Sequence, residues 1–238
     1  MNPLAWNKLK TKLIISCEHA VNTVPEKYYS FFKDNKSVLN SHRAYDIGAR
    51  ELYETLVQNL NPDFCKKGEV SRLLIELNRS LHHPQLFSEF TKSLGKNEKE
   101  ELIVNYYRPY RTEIENFIRS NINSSFNTLH VSVHSFTNEL KGIQRNADLG
   151  ILYDPKSALE KEFVRIYKNE LSMHLPAFRL RLNYPYLGTA DGFTSHLRKK
   201  FPQQYAGIEI ELNNTYAAAE NFREIQMKLG KALEFCQA

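Results

Sequence analysis

The chain has 238 residues, 42% of them hydrophobic and 25% charged, with a net charge of +5. These proportions exclude a disordered or low-complexity chain and supply enough apolar residues for one large domain, 1–238. The positive charge lies in short clusters such as Arg198-Lys199-Lys200, which argues against nucleic-acid binding and fits a solvated surface or attraction of a small anion.

Three cysteines, Cys17, Cys65 and Cys236, fit neither a disulfide framework nor a cysteine-rich zinc site, and suit a reducing compartment. Residues 1–12 lack the long apolar stretch and cleavage site of a secretory signal, and no run reaches the length of a membrane span. The expectation is a cytoplasmic protein without a membrane partner. Its oligomeric state is not written in these features.

Strand-like and helix-like stretches alternate along the chain. Residues 12–16 read as a strand, with Leu13-Ile14-Ile15 running into Ser16-Cys17-Glu18-His19. Pro25 opens a short helix to residue 32, because proline is tolerated at the first helical position. Residues 43–60 carry Ile47, Leu52, Leu56 and Leu60 at helical spacing. Residues 72–77 read as a strand ending in Asn78-Arg79. Residues 82–97 are irregular and polar near their end, a pattern that suits a flap over a site. Residues 98–121 follow a helical pattern in which Pro109 removes a backbone donor and predicts a kink or break. Strands follow at 128–134 and 147–153, then a helix at 157–174 with Ser157 as N-cap and Glu160 at capping-box spacing. Strands at 178–183 and 207–212 and a helix at 216–236 complete the chain. This order implies an α/β fold: one three-layer domain with a mostly parallel, mixed sheet and helices on both faces.

Polar clusters stand at the ends of the apolar runs, where open α/β sheets place their ligands. His19 follows the first strand, and His134 ends the run His130-Val131-Ser132-Val133. Two neutral imidazoles at neighbouring strand tips suit zinc or another borderline cation. A catalytic zinc usually takes a third protein ligand. His42 and Asp46, four residues apart at the expected start of a helix, share a face and are both candidates, Asp46 the favoured one; Asn22 is a weaker one. Glu18 should point away from His19 by strand alternation. Glu76, inside an apolar run, needs a cation such as Arg72 or Arg145. Arg79 offers a planar fork for a carboxylate, either a substrate's or a protein acid's. In residues 207–212, Glu209 and Glu211 share one strand face. Burial would raise one towards the range of a general base, and Glu211, nearer the carboxyl end, is the candidate. Glu209 would join a salt-bridge network.

Taken in order, these motifs resemble the N-formylglutamate amidohydrolase family. The matching pieces are Ser16-Cys17-Glu18-His19-Ala20 with Asn22 and Pro25, His42 through Ala49, and Ser71-Arg72-Leu73 through Asn78-Arg79. They continue with Val133-His134-Ser135-Phe136, Arg145 with Asp148-Leu149-Gly150, Asn183-Tyr184-Pro185-Tyr186, and Glu211 with Asn213. The resemblance implies an α/β fold related to the zinc carboxypeptidase and aspartoacylase group. It also implies hydrolysis of the formyl or other small acyl amide of an N-acylated acidic amino acid, so a small anionic amide as substrate. It puts His19 and His134 on Zn2+ or another divalent cation, Glu211 as base, and Asn78 and Arg79 on the substrate, with Arg145 a further candidate for its carboxylate. Where the wider group has glutamate three residues after its first zinc histidine, this chain has Asn22, which turns attention to Asp46. Ser132 stands where relatives have an acid, which leaves the orientation of His134 open. The same pattern would serve a zinc peptidase or deacylase of other specificity, or a non-catalytic small-anion binding protein.

Overall fold

The structure, a computed structural model, describes residues 11–237, so most of the N-terminal segment weighed above lies outside the described residues. Alternation along three strands builds the architecture. In β1 (Thr11–Cys17), Leu13, Ile15 and Cys17 face one core and Ile14 the other. In β3 (Asn127–Phe136), Leu129, Val131 and Val133 join the first core, which leaves His130, Ser132 and His134 on the opposite face. In β8 (Tyr205–Asn213), Ala206, Ile208, Ile210 and Leu212 do the same, opposite Tyr205, Glu209 and Glu211. One sheet face is therefore apolar and the other carries buried polar groups.

The six-stranded sheet has the order β2-β1-β3-β8-β6-β7, with β2 at Phe64–Lys67, β6 at Leu149–Leu152 and β7 at Leu180–Leu182. The pairs β1–β2, β1–β3 and β3–β8 are parallel, β6 runs antiparallel to β8, and β7 is parallel to β6. A small hairpin, β4 (Glu139–Leu140) with β5 (Ile143–Gln144), stands outside it. Helices α1 (Ala49–Leu60), α4 (Ala158–His174) and α6 (Phe222–Gln237) bury their apolar stripes on the apolar face. Helices α2 (Lys96–Leu102), α3 (Arg108–Asn123) and α5 (Phe193–Lys200), with a 3-10 helix at Glu26–Asn40, cover the other. The three-layer, mostly parallel mixed sheet is the expected class. No helix among the described residues is long and apolar enough to cross a membrane.

Several local expectations change. Residues 72–77 are turns, not a strand. Leu73, Leu74, Ile75 and Leu77 bury as a strand would, yet their carbonyls find side chains instead of a ladder: Ser88 Oγ bonds the Leu73 carbonyl at 2.5 Å and Thr91 Oγ1 that of Leu74 at 3.1 Å. A short apolar run does not by itself separate a buried strand from a buried loop. The edge strand beside β1 is β2, whose Phe64-Cys65-Lys66-Lys67 lacks a run of β-formers. Helix α1 begins at Ala49, after Gly48 at φ +83°, so His42 and Asp46 sit in turns and share no helical face. At Pro109 the helix does not break. A five-residue π-helical stretch, Ile103–Tyr107, joins α2 to α3 just before the proline, and a local π turn of this kind re-spaces the backbone bonds where a donor is missing. Ser157 caps α4 by accepting from Glu160 N at 3.3 Å, but the Glu160 carboxylate turns to Arg198 and Asp154 N, so only half a capping box forms. The last helix starts at Phe222, after a 3-10 turn at Asn214–Ala218.

Gly150 of β6 faces Glu211 across the sheet, and a Cβ built there would lie 2.0 Å from the Tyr184 carbonyl oxygen. Only glycine lets the following loop lie this close to the strand. Gly150→Ala should therefore cost about 1–3 kcal/mol in urea unfolding; a variant as stable as the parent would mean that the loop yields freely.

Candidate metal centre and its cleft

Three segments meet beyond the carboxyl ends of β1, β3 and β8. His19 lies just past β1, its carbonyl bonded by the Asp46 N–H at 3.0 Å, so the turn bearing Asp46 is tied to the strand tip. His134 stands in β3 directly opposite Glu211 of β8. Asp46 Oδ2 is 2.9 Å from His134 Nδ1 and 3.3 Å from His19 Nδ1. One ligand atom from each of His19, Asp46 and His134 lies within 4.8 Å of the others, and all three residues are buried.

Each imidazole has a carboxylate on its other nitrogen. Glu76 Oε1 is 2.5 Å from His19 Nε2, and Glu18 Oε2 is 3.1 Å from His134 Nε2, with Ser132 Oγ at 2.9 Å. Glu18 does turn away from His19, and it supplies His134 with the acid that Ser132 lacks. Arg72 ties the other side: Nη1 donates to Asp46 Oδ1 at 2.9 Å, Nε to Glu76 Oε2 at 3.2 Å, and Nη2 lies 2.5 Å from His19 Nδ1. Arg72 is thus the cation Glu76 requires, and Arg145 is not.

The electrostatics follow from burial and pairing. Burial alone would raise the Asp46 carboxyl, but Arg72 and His19 hold it well below its ordinary range. Glu76 is likewise held low against burial by His19 and Arg72, and Glu18 by His134. His134 is pushed up, since Asp46 and Glu18 outweigh burial. Glu211 differs: burial raises its carboxyl to about 8, and Asp46 and Glu209 push the same way. Its Oε2 has no hydrogen-bond partner. Glu209 accepts a hydrogen bond from the Thr194 hydroxyl instead of joining the expected salt-bridge network. The cleft thus gathers Asp46, Glu76, Asp191, Glu209 and Glu211 with two guanidiniums, those of Arg72 and Arg79, while Glu18 lies behind His134. Two imidazoles and a carboxylate facing one point, each imidazole backed by an acid, and a surplus of negative charge together fit a divalent cation.

The cleft above these groups has a volume of about 300 Å³. Asn78 and Arg79 line it. Asn78 Oδ1 accepts from Phe193 N at 2.7 Å, and the Arg79 guanidinium donates to the Asp191 carbonyl. Their backbone is clamped from α3 and its approach: Tyr107 Oη donates to the Arg79 carbonyl at 2.7 Å and Arg111 to that of Leu77 at 3.1 Å. Tyr186, Leu187 and Asp191 form a wall that the sequence reading passed over, apart from the Tyr186 motif. Arg145 does not line the cleft. It reaches the back of that wall, where Nη2 donates to Tyr186 Oη at 3.1 Å, and borders a separate cavity of about 360 Å³. His42 is exposed and outside the cluster. Asn22 instead donates to the Leu39 carbonyl at 2.9 Å, securing the end of the 3-10 helix. The flanking acids Glu18 and Glu76 had one sequence signal, a carboxylate inside or beside an apolar run.

The family model of N-formylglutamate amidohydrolases matches residues 11–217. Among solved structures, a gene product of Agrobacterium tumefaciens is similar at TM-score 0.77 and 22% identity, over 95% of this chain and 92% of that one. An N-formylglutamate amidohydrolase of Ralstonia eutropha is similar at TM-score 0.70 and 16% identity, over the same shares of the two chains, 95% and 92%. No curated protein matches the sequence. At these identities the structures speak for the fold, whereas the family match extends from β1 to the turn after β8 and takes in every strand of the sheet and all three candidate ligands, so the chain belongs to the N-formylglutamate amidohydrolase family.

Proposed function

We propose that the protein is a metal-dependent amidohydrolase that removes the formyl, or another small acyl, group from an N-acylated acidic amino acid such as N-formylglutamate. The observation that carries this reading is the meeting of His19, Asp46 and His134 beside Glu211, whose Oε2 has no hydrogen-bond partner among the described residues. His19, Asp46 and His134 would hold Zn2+ or a similar divalent cation, which when bound supplies Lewis-acid polarisation of the amide carbonyl and a more acidic water.

Glu211 is the general base. Ionised beside a bound cation, it would take a proton from the attacking water on Oε2, and its burial, which raises the carboxyl to about 8, suits it to hold that proton and return it to the leaving amine nitrogen. Arg72 keeps Asp46 and Glu76 ionised and so keeps both histidines oriented. Asn78 and Arg79, on their clamped backbone, bind a substrate carboxylate at the mouth of the cleft. Arg145, behind Tyr186, is the candidate for steadying a second carboxylate through the Tyr186 hydroxyl that it holds. The residue is only 8% exposed, and its guanidinium lies against the Phe136 and Tyr186 rings with no carboxylate partner among the described residues. A buried cation in that state favours an incoming anion.

Chelation should abolish hydrolysis of N-formylglutamate and zinc should restore it; equal rates for the metal-free and zinc-loaded protein would refute the mechanism. Glu211→Gln should lower kcat by about 10²–10⁴-fold with little change in KM. Arg145→Met should raise KM for N-formylglutamate about 10- to 100-fold while sparing N-formylalanine. Steady-state kinetics on both substrates checks these two variants, and an equal effect on both would remove Arg145 from carboxylate recognition.

A further inference from the structure

Beneath the cleft, the polar face of the sheet continues away from His134 in an unbroken hydrogen-bonded chain that the hydrolytic reading leaves unused. Ser132 Oγ lies 2.5 Å from Glu18 Oε2, while Ser16 Oγ and Tyr110 Oη lie 2.9 and 2.8 Å from Glu18 Oε1. Ser16 Oγ is also 2.7 Å from His130 Nε2, and His130 Nδ1 is 2.7 Å from Tyr205 Oη. Ser16, Glu18, Tyr110, Ser132, His130 and Tyr205 are all buried.

The proton positions follow by elimination. Glu18 accepts from the hydroxyls of Ser16, Tyr110 and Ser132, and His134 Nε2 stands 3.1 Å away with its one hydrogen shared between Glu18 and Ser132 Oγ, so the acceptor sites of an ionised carboxylate are occupied. Each hydroxyl has one proton to give. Ser132 gives its proton to Glu18, so towards His134 Nε2, at 2.9 Å, it is an acceptor, and that nitrogen carries hydrogen. Ser16 gives its proton to Glu18 too, so His130 Nε2 is also the protonated nitrogen. The neutral His130 ring then presents a lone pair at Nδ1, which accepts from the Tyr205 hydroxyl.

We infer that Glu18 is a positioning residue at the sink of a one-way hydrogen-bond chain, Tyr205 to His130 to Ser16 to Glu18 on one side and His134 to Ser132 to Glu18 on the other. The chain fixes hydrogen on His134 Nε2 and so leaves Nδ1, turned towards Asp46 and the cleft, as the nitrogen that a cation would take. The inference rests on the proposed role of His134 as a cation ligand. Its reach is longer than that of an ordinary carboxylate–histidine pair, because His130 and Tyr205 hold the far end of the chain on β3 and β8.

The test is long-range 1H–15N correlation spectroscopy of the protein labelled at its histidines, metal-free and zinc-loaded, with zinc affinity measured by competition against a chelator. The expected result is hydrogen on Nε2 of His130 in both states and on Nε2 of His134 in the zinc form. Glu18→Gln, whose amide must present a donor where a hydroxyl now donates, should weaken zinc binding about 10- to 100-fold. Ser132→Ala, a milder change should Glu18→Gln not fold, should weaken it less but measurably. Tyr205→Phe should shift the His130 Nδ1 resonance. Hydrogen on Nδ1 of His130 or of zinc-loaded His134, or wild-type zinc affinity in both Glu18→Gln and Ser132→Ala, would overturn the inference. Wild-type protein that takes up no zinc would defeat the reading of the cleft and with it the role of His134, while the His130 tautomer of the metal-free form would still decide the direction of the chain.

Discussion

Negative charge held away from water is the condition to which the rest of this structure answers. Asp46 lies at its centre, 5% exposed, with both imidazoles and the Arg72 guanidinium turned to its two oxygens. Removing a carboxylate from solvent costs several kcal/mol unless a cation and good hydrogen bonds offset it. Asp46 and Glu76 meet that condition through Arg72 and His19, and Glu18 through His134 and three hydroxyls, while Glu209 has the Thr194 hydroxyl. Glu211 does not meet it, and burial drives its carboxyl towards neutrality. The proposed cation site and proton transfer both draw on this imbalance.

The sheet divides the labour between its faces. On the apolar face, α1, α4 and α6 pack over Leu13, Ile15, Val131, Val133, Ile208 and Ile210, all essentially inaccessible to water. Burial of such side chains is worth roughly 1.5–3 kcal/mol each. The opposite face gives up part of that gain, because β3 and β8 present His130, Ser132, His134, Glu209 and Glu211 there. Hydrogen bonding limits the loss for His130, Ser132, His134 and Glu209, because a connected polar network is tolerable inside a protein, and leaves Glu211 Oε2 as the exception. The turns from Ser71 to Arg79 serve the same end. They bury Leu73, Leu74, Ile75 and Leu77 in the second core and so deliver Arg72, Glu76, Asn78 and Arg79 to the cleft from one short segment.

The fold class was legible in the chain because its signals are local. Hydrophobic runs of β-formers mark β1, β3, β6 and β8, helical spacing marks α1, α3, α4 and α6, and their alternation implies a parallel sheet with helices on both sides. The errors have equally local causes. Residues 72–77 have the composition of a strand but satisfy their backbone with Ser88 and Thr91. The short β2 and α5 carry no strong periodic pattern. The helical face assumed for His42 and Asp46 vanished because Gly48, with φ +83°, delays the start of α1.

For the site, sequence by itself determined which residue types stand at the strand tips: His19 after β1, His134 and Glu211 at the ends of β3 and β8, and the Asn78-Arg79 step. Those positions follow from strand length and two-residue alternation, which neighbouring residues control. Tertiary structure alone decided that Asp46 and not His42 or Asn22 joins the histidines, that Glu18 and Glu76 back them, and that Arg145 stands behind Tyr186. Each of these depends on the order β1-β3-β8 and on how the intervening loops fold over it. Such meetings are set by packing between segments remote in sequence, and no local pattern records them.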